Sequence, residues 1–227
     1  MTYLNNKKIL VRFIKPINKI FFRGNFILSA FNLAFISSVY KKHIRIRYDL
    51  LCWPDGILSK FFHTNLSKIP GRILINKLEF PSSIKSILVV GNVNFKIKNF
   101  LKKRYPNLNL KYHLLPYASV SKLKFLLNFN LDRSELCLIN LPTPKQEQLA
   151  HEISKRNKYY KIICIGGGLL IASGLEKNMS KFFKKNELEF LWRLHSDFRR
   201  RLLRLLTSIK DLILFFIKNN KIIVKFL

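Results

Sequence analysis

Acid is what this chain has least of. Twelve Asp and Glu stand against 42 Lys and Arg in 227 residues, a formal net charge of +30. That deficit excludes a charge-balanced surface and implies a polyanionic partner: nucleic acid, anionic lipid or a phosphorylated substrate. An AT-rich genome, with its many Lys, Asn, Ile and Phe codons, accounts for part of the scattered lysine equally well. Cysteine is scarce too, and Cys52, Cys137 and Cys164 show neither CxxC nor Cys/His spacing. A disulfide framework and a zinc site are therefore excluded, and buried free thiols in a reducing cytosol are expected. The five histidines (His43, His63, His113, His151, His195) lack ligand spacing, so no metal is expected. Nowhere do 18 uncharged apolar residues run together, which excludes a spanning helix. The first 23 residues carry six basic side chains and no acid, too interrupted for a signal-peptide core, so the protein is expected to stay on the cytoplasmic side. No long polar linker separates a second independent domain.

What is present is a 48% apolar chain, enough for a buried core. Strand-like and helix-like segments alternate from about residue 25 to 175. The strand-like runs are Phe26–Phe31, Tyr48–Trp53, Ile84–Val90, Lys111–Leu115, Leu136–Leu141 and Tyr159–Ile165. Between them, Phe95–Arg104, Ser119–Phe129 and Lys145–Arg156 have helical stripes. The order predicts an α/β fold, a Rossmann-like, mostly parallel sheet flanked by helices. Residues 1–176 form this core, and residues 177–227 form a basic C-terminal helical appendage.

In an open parallel sheet, ligands bind outside the carboxyl ends of the strands. Four runs end in polar or glycine residues: Asn32, Pro54-Asp55-Gly56, Pro142-Thr143-Pro144-Lys145-Gln146-Glu147 and Gly166-Gly167-Gly168. Asp55 is the candidate chemical centre, a carboxylate able to accept a proton from an attacking hydroxyl. An Asp-Gly after a strand is also an ordinary turn. The glycines can admit a nucleotide diphosphate to backbone amides, although Ile171 stands where GxGxxG needs glycine and the loop is no P-loop. Pro144 can open a helix whose first turn favours Glu147 through the helix dipole, leaving Gln146 to read a base or a sugar hydroxyl. Ordinary polar residues at a helix start are the plainer alternative.

The appendage holds thirteen Lys/Arg against four Asp/Glu. Leu191, Leu194, Phe198, Leu202 and Leu205 recur at helical spacing, and Arg193, Asp197, Arg200 and Arg204 share another face. Asp197 can hold its arginine neighbours. Ile209, Leu212, Ile213 and Phe216 extend the amphipathic pattern, and Ile222–Leu227 closes the chain with an apolar tail. A core helix with a solvated basic back is the commoner arrangement. The arginine stripe and apolar tail together favour phosphate and an anionic membrane surface.

Asn32, Trp53-Pro54-Asp55-Gly56, Arg104-Tyr105-Pro106, Pro144-Lys145-Gln146-Glu147, Ile165-Gly166-Gly167, Gly174 and Leu188-Glu189-Phe190-Leu191-Trp192-Arg193-Leu194, taken in this order, resemble the WecG/TagA/CpsF family of bacterial glycosyltransferases, glycosyltransferase family 26. The resemblance covers about residues 26 to 205. It implies an inverting, metal-independent transfer of a sugar, N-acetylmannosamine or a related hexose, with no cofactor. The donor is a UDP-sugar, and the acceptor is a polyprenyl-diphosphate-linked glycan in cell-surface polysaccharide synthesis. By the same resemblance Asp55 is the base, and Asn32, Gln146, Gly166 and Gly167 line the donor pocket. Lys68, standing for a family arginine, joins them. Arg193, Arg200 and Arg204 hold the acceptor diphosphate. The resemblance also implies self-association and a peripheral place on the inner face of the cell membrane. Ala30, Leu170, Asn178-Met179-Ser180 and Glu187 depart from the family pattern and point to a diverged subgroup using another sugar. The alternatives are a basic nucleic-acid-binding protein, for which no helix-turn-helix, RRM or KH signature is visible, and an inactive scaffold of the same fold.

Overall fold

The computed structural model describes residues 8–14, 24–55, 68–127, 134–156, 160–175, 198–218 and 220–226. Its strands are β1 (Lys8–Phe13), β2 (Phe26–Phe31), β3 (Leu50–Pro54), β4 (Ser86–Gly91), β5 (Asn109–Leu114), β6 (Leu136–Asn140), β7 (Lys161–Cys164) and β8 (Lys221–Phe226). The helices among the described residues are α1 (Leu33–Tyr40), α2 (Gly71–Lys77), α3 (Phe95–Arg104), α4 (Val120–Leu126), α5 (Lys145–Arg156), α6 (Gly168–Ala172) and α7 (Phe198–Ile217). One sheet runs β5-β4-β6-β7-β2-β3-β1-β8, with parallel neighbours. The α/β architecture expected from the alternating runs is the one observed.

Local chemistry sets the element ends. Asn32, Asn94 and Ser119 cap α1, α3 and α4 by accepting from the amides of Phe35, Ile97 and Lys122. Lys102, Lys103 and Arg104 fill the last turn of α3, where cations suit the helix dipole. Arg104 also donates to the carbonyls of Asn76 and Leu78, and the Tyr105 hydroxyl donates to those of Ile75 and Leu78. The Arg104-Tyr105 pair thus closes the C-terminus of α2, giving that motif a structural task.

The sheet is covered on both faces. On one, Phe31, Cys52, Ile139 and Cys164 pack with Phe35 of α1, Leu123 of α4 and Leu149, Ala150 and Ile153 of α5. On the other, Leu28, Trp53, Val89 and Ile163 pack with Leu74 of α2, Ile97 of α3 and Leu169 of α6. Residues buried on both sides explain why β2, β4, β6 and β7 read as continuous apolar runs. All three cysteines are buried and free, and burial pushes their thiols up. At the amino ends of the strands, Arg47 pairs with Asp49 at 3.0 Å and donates to His151 Nδ1 at 2.8 Å, while Tyr160 donates to Asp49.

Four differences from the sequence expectations stand out. The alternation runs from β2 to α6 as expected, but strand β1 precedes it and was not anticipated. Helix α2 was not anticipated. The apolar tail is strand β8, paired with β1 from Lys8↔Lys221 to Phe13↔Phe226, and not a free surface segment. Alternation is the reason: Ile222, Val224 and Phe226 turn to the core while Lys221, Ile223 and Lys225 face out. Helix α7 is continuous where two turn sets were expected.

Candidate active site

Four adjacent strands, β6, β7, β2 and β3, send their chains to alternate faces of the sheet. After β6 and β2 the helices α5 and α1 lie on one face; after β7 and β3 the helices α6 and α2 lie on the other. Each junction is a topological switch point, and together they open a crevice at the carboxyl edge. Asn32, Asp55, the Thr143–Glu147 turn and Gly166-Gly167 all stand on this edge.

Asn32 works twice. Its Oδ1 caps α1, and its Nδ2 donates to Asp55 Oδ2 at 3.2 Å. The cap fixes the amide, so the carboxylate is held by a group that cannot turn without uncapping the helix. The chain returns to this point at Ile69, whose amide donates to the Pro54 carbonyl at 2.7 Å. Lys68 therefore adjoins the end of β3. From β3 to β7 is two strand spacings, about 10 Å, which separates the strands that carry Asp55 and the glycine turn.

Gly166 has φ +56°, in the left-handed region that favours glycine, and its amide donates to the Ile139 carbonyl at 3.2 Å. A Cβ there would sit 3.4 Å from Gln146 Oε1. Gln146 is only 2% exposed, so it lies beneath the glycine turn rather than open to solvent. Its Nε2 donates to Glu147 Oε1 at 2.9 Å and to Thr143 Oγ1 at 3.1 Å.

Glu147 occupies the first turn of α5, as the dipole argument expected, but it is buried. Its Oε1 also accepts from Ser29 Oγ at 2.7 Å and Thr143 Oγ1 at 3.0 Å. Burial raises its pKa, against the opposing hydrogen bonds from Ser29, Gln146 and Thr143. Ser29 and Thr143 escaped the sequence reading. The available signal was Ser29 itself, the lone hydroxyl in the Phe-Ile-Leu-Ser-Ala-Phe run, because a buried hydroxyl needs a partner.

Of the arginine stripe, Arg193, Asp197 and the side chain of Arg200 lie outside the described residues. Arg204 is exposed and donates to the Thr143 carbonyl at 2.8 Å, which brings α7 onto the β6–α5 loop. A cavity of about 210 Å³ lies beside the crevice, between α1, this loop and α7, lined by Ser37, Ser38, Lys41, His43, Thr143, Arg204, Thr207 and Ser208 among others. Asp55 and the glycine turn do not line it. Among the described residues no three His, Cys, Asp or Glu side chains gather to hold a metal, and no helix is long and apolar enough to cross a membrane.

Comparison with protein-family models matches residues 75–223 to the Glycosyl transferase WecG/TagA/CpsF family. The matched span contains Gln146, Gly166, Gly167 and the arginine stripe, while Asn32, Asp55 and Lys68 precede it. Comparison with curated proteins gave no match.

Proposed function

Because the chain belongs to the WecG/TagA/CpsF family of glycosyltransferases, we propose that it moves a hexosyl group, N-acetylmannosamine or a relative, from a UDP-sugar to a polyprenyl-diphosphate-linked acceptor. The setting is cell-surface polysaccharide synthesis. Asp55 takes the proton of the acceptor hydroxyl as that oxygen bonds to the anomeric carbon. The bond from that carbon to the UDP oxygen breaks on the opposite face, UDP leaves with the electron pair, and the configuration inverts. Asn32 holds the base, and the Gly167 amide with Lys68 meets the leaving diphosphate, while Gly166, whose own amide is bound to the Ile139 carbonyl, shapes the turn. Gln146 supports the turn from beneath. No metal ion takes part in this reading.

One observation carries the proposal. The Asn32–Asp55 contact, 3.2 Å, stands at the carboxyl edge where a glycine turn faces it across the switch points.

The acceptor reading has separate support. Arg204 lines a cavity with Lys41, His43 and five hydroxyls, a chemistry suited to diphosphate oxygens. We assign Arg193 and Arg200, which share the arginine spacing of the sequence, to that diphosphate as well. Helix α7 is amphipathic in reverse. Ser208, Asp211 and Phe215 are buried, whereas Leu203, Leu206, Ile209, Ile213, Phe216 and Ile217 are exposed. Apolar side chains turned outward among Arg199, Arg201, Lys210 and Lys218 suit an anionic lipid surface, so α7, within the 177–227 appendage, serves as the membrane-contacting part.

The test is Asp55→Asn. Transfer should fall by about 10²- to 10⁴-fold, with UDP affinity unchanged. Unaltered turnover would refute the base assignment, and an inactive wild type with intact UDP binding would favour the scaffold alternative.

A further inference from the structure

The corner between β6 and α5 holds a buried carboxyl that the proposed reaction leaves unused. Glu147 is 5% exposed, and its three donors converge on one oxygen: Ser29 Oγ, Gln146 Nε2 and Thr143 Oγ1 all reach Oε1. Oε2 is buried and has no hydrogen-bond partner among the described residues. Two hydroxyls and an amide supply the donors, and among the described residues no cation pairs with it. The titratable groups facing Glu147 from β3 and β7 are the Cys52 and Cys164 thiols, both pushed up by burial.

An ionised carboxylate in such a place would hold its charge out of water, with one oxygen bare and no counter-ion. That state is disfavoured strongly enough that buried carboxyls keep their protons instead. A neutral acid fits the arrangement. Its carbonyl oxygen takes the three donors, and its hydroxyl sits on the oxygen that no donor approaches. The same cluster contains a second bare acceptor, Gln146 Oε1, so a donor is the class of group it is short of.

We propose that Glu147 is a protonated carboxylic acid at neutral pH and the positioning residue of the donor corner. It ties β2 to the β6–α5 loop and holds the Gln146 amide beneath the Gly166 turn. Both hydrogens of that amide are spent, on Glu147 and Thr143, so the amide cannot swing away without losing both bonds. Ser29 lies three residues before Asn32, so the same carboxyl steadies the strand end that carries the Asp55 contact. The positioning role rests on the donor reading given above; the protonation state does not.

The experiment is an infrared difference spectrum of the full chain at pH 7 in D₂O, wild type minus Glu147→Gln. A UDP titration of each variant, followed by thermal shift, accompanies it. The difference spectrum should carry the carbonyl stretch of one protonated carboxylic acid. Glu147→Gln keeps a carbonyl acceptor and should hold UDP affinity within about threefold. Glu147→Ala strands the Ser29, Thr143 and Gln146 donors and should lose about tenfold or more. Should Glu147→Ala fail to fold, Glu147→Asp, which withdraws the carboxyl by one methylene, gives the same comparison. Carboxylate bands in the difference spectrum, or UDP binding unaffected by Glu147→Ala, overturn the inference. A wild type that binds no UDP overturns the donor reading instead, and the infrared bands still decide the state of Glu147.

Discussion

Gly167 offers the sharpest test of the donor corner, because nothing among the described residues requires a glycine there. Its φ of −62° and ψ of −1° suit any L-residue, and a Cβ would meet no described atom within 4 Å. Gly167→Ala should therefore stabilise the fold by about 0.4–1 kcal/mol, by narrowing the unfolded ensemble. For a chain of this length that is a rise in Tm of about 1–4 °C. If a diphosphate sits on the backbone of this turn, the added methyl stands where the phosphate must come. Loss of one charge-assisted hydrogen bond costs about 1.5–3 kcal/mol, or roughly 10- to 100-fold in UDP affinity. The signature is thus a chain with equal or higher Tm that binds UDP more weakly. Gly168→Ala is the contrast: its Cβ would lie 2.8 Å from the carbonyl carbon of Gly71, so α6 and α2 must part. Overpacking of that kind costs about 1–3 kcal/mol and should lower Tm visibly. Calorimetric titration with UDP beside thermal unfolding separates the two. Wild-type UDP affinity in Gly167→Ala would refute a diphosphate lying against this turn.

Two further outcomes concern the fold. Burial lowers the pKa of His151, with Lys155 and Arg47 adding to the effect, so the folded state prefers the neutral ring. The unfolded chain then binds the extra proton first, and stability should fall as pH drops below about 6.5, by no more than about 1.4 kcal/mol per pH unit. Urea midpoints between pH 7.5 and 5.5 should converge for wild type and His151→Gln at the acid end; parallel curves would refute the assignment. In the β1–β8 pairing, Lys8 opposes Lys221 and Arg12 opposes Lys225, and like charges directly opposite are destabilising. Lys225→Glu should raise Tm by about 1–6 °C at low salt, with the gain shrinking at high salt; an unchanged Tm would mean the two side chains do not sense each other.

The sequence made the middle of the sheet legible because burial on both faces leaves an unmistakable mark. The Ser-Ile-Leu-Val-Val-Gly segment of β4 and the Phe-Ile-Leu-Ser-Ala-Phe segment of β2 have no solvent-facing position to interrupt them. Helices α3 and α5 were legible for a related reason, a polar back behind Ile97 and Leu101 or behind Leu149, Ala150 and Ile153. The edge was not. Edge strand β8 and its neighbour β1 each carry two basic residues four apart, Lys221 and Lys225 or Lys8 and Arg12, and locally that resembles a basic tail. Their pairing joins chain segments some two hundred residues apart, and nothing within either segment announces it. The loops of the candidate site could be read, since polar residues after an apolar strand stand out. The contacts among them could not. That Asn32 would reach Asp55, or that Glu147 would turn inward to Ser29 rather than outward to solvent, depends on which strands become neighbours.

Neighbour order also decides what α7 can do. Two of its polar contacts end on walls of the crevice. Asp211 accepts from Ser37 and pairs with Lys41 at 2.9 Å, both on α1, while Arg204 reaches the Thr143 carbonyl on the β6–α5 loop. Helix α1 is eight residues long, about 12 Å, and its capping residue is the one that holds Asp55. A helix that only completed a core would turn Leu203, Leu206, Ile213 and Phe216 inward and leave Ser208 and Asp211 to water. This one buries Ser208 and Asp211 beside Phe215 against α1 and turns those apolar side chains outward. Whatever engages that outer face is therefore two contacts away from the carboxylate, through Asp211 and then along α1 to Asn32. A displacement of α7 must either break the Asp211 contacts or be carried by α1 to the site.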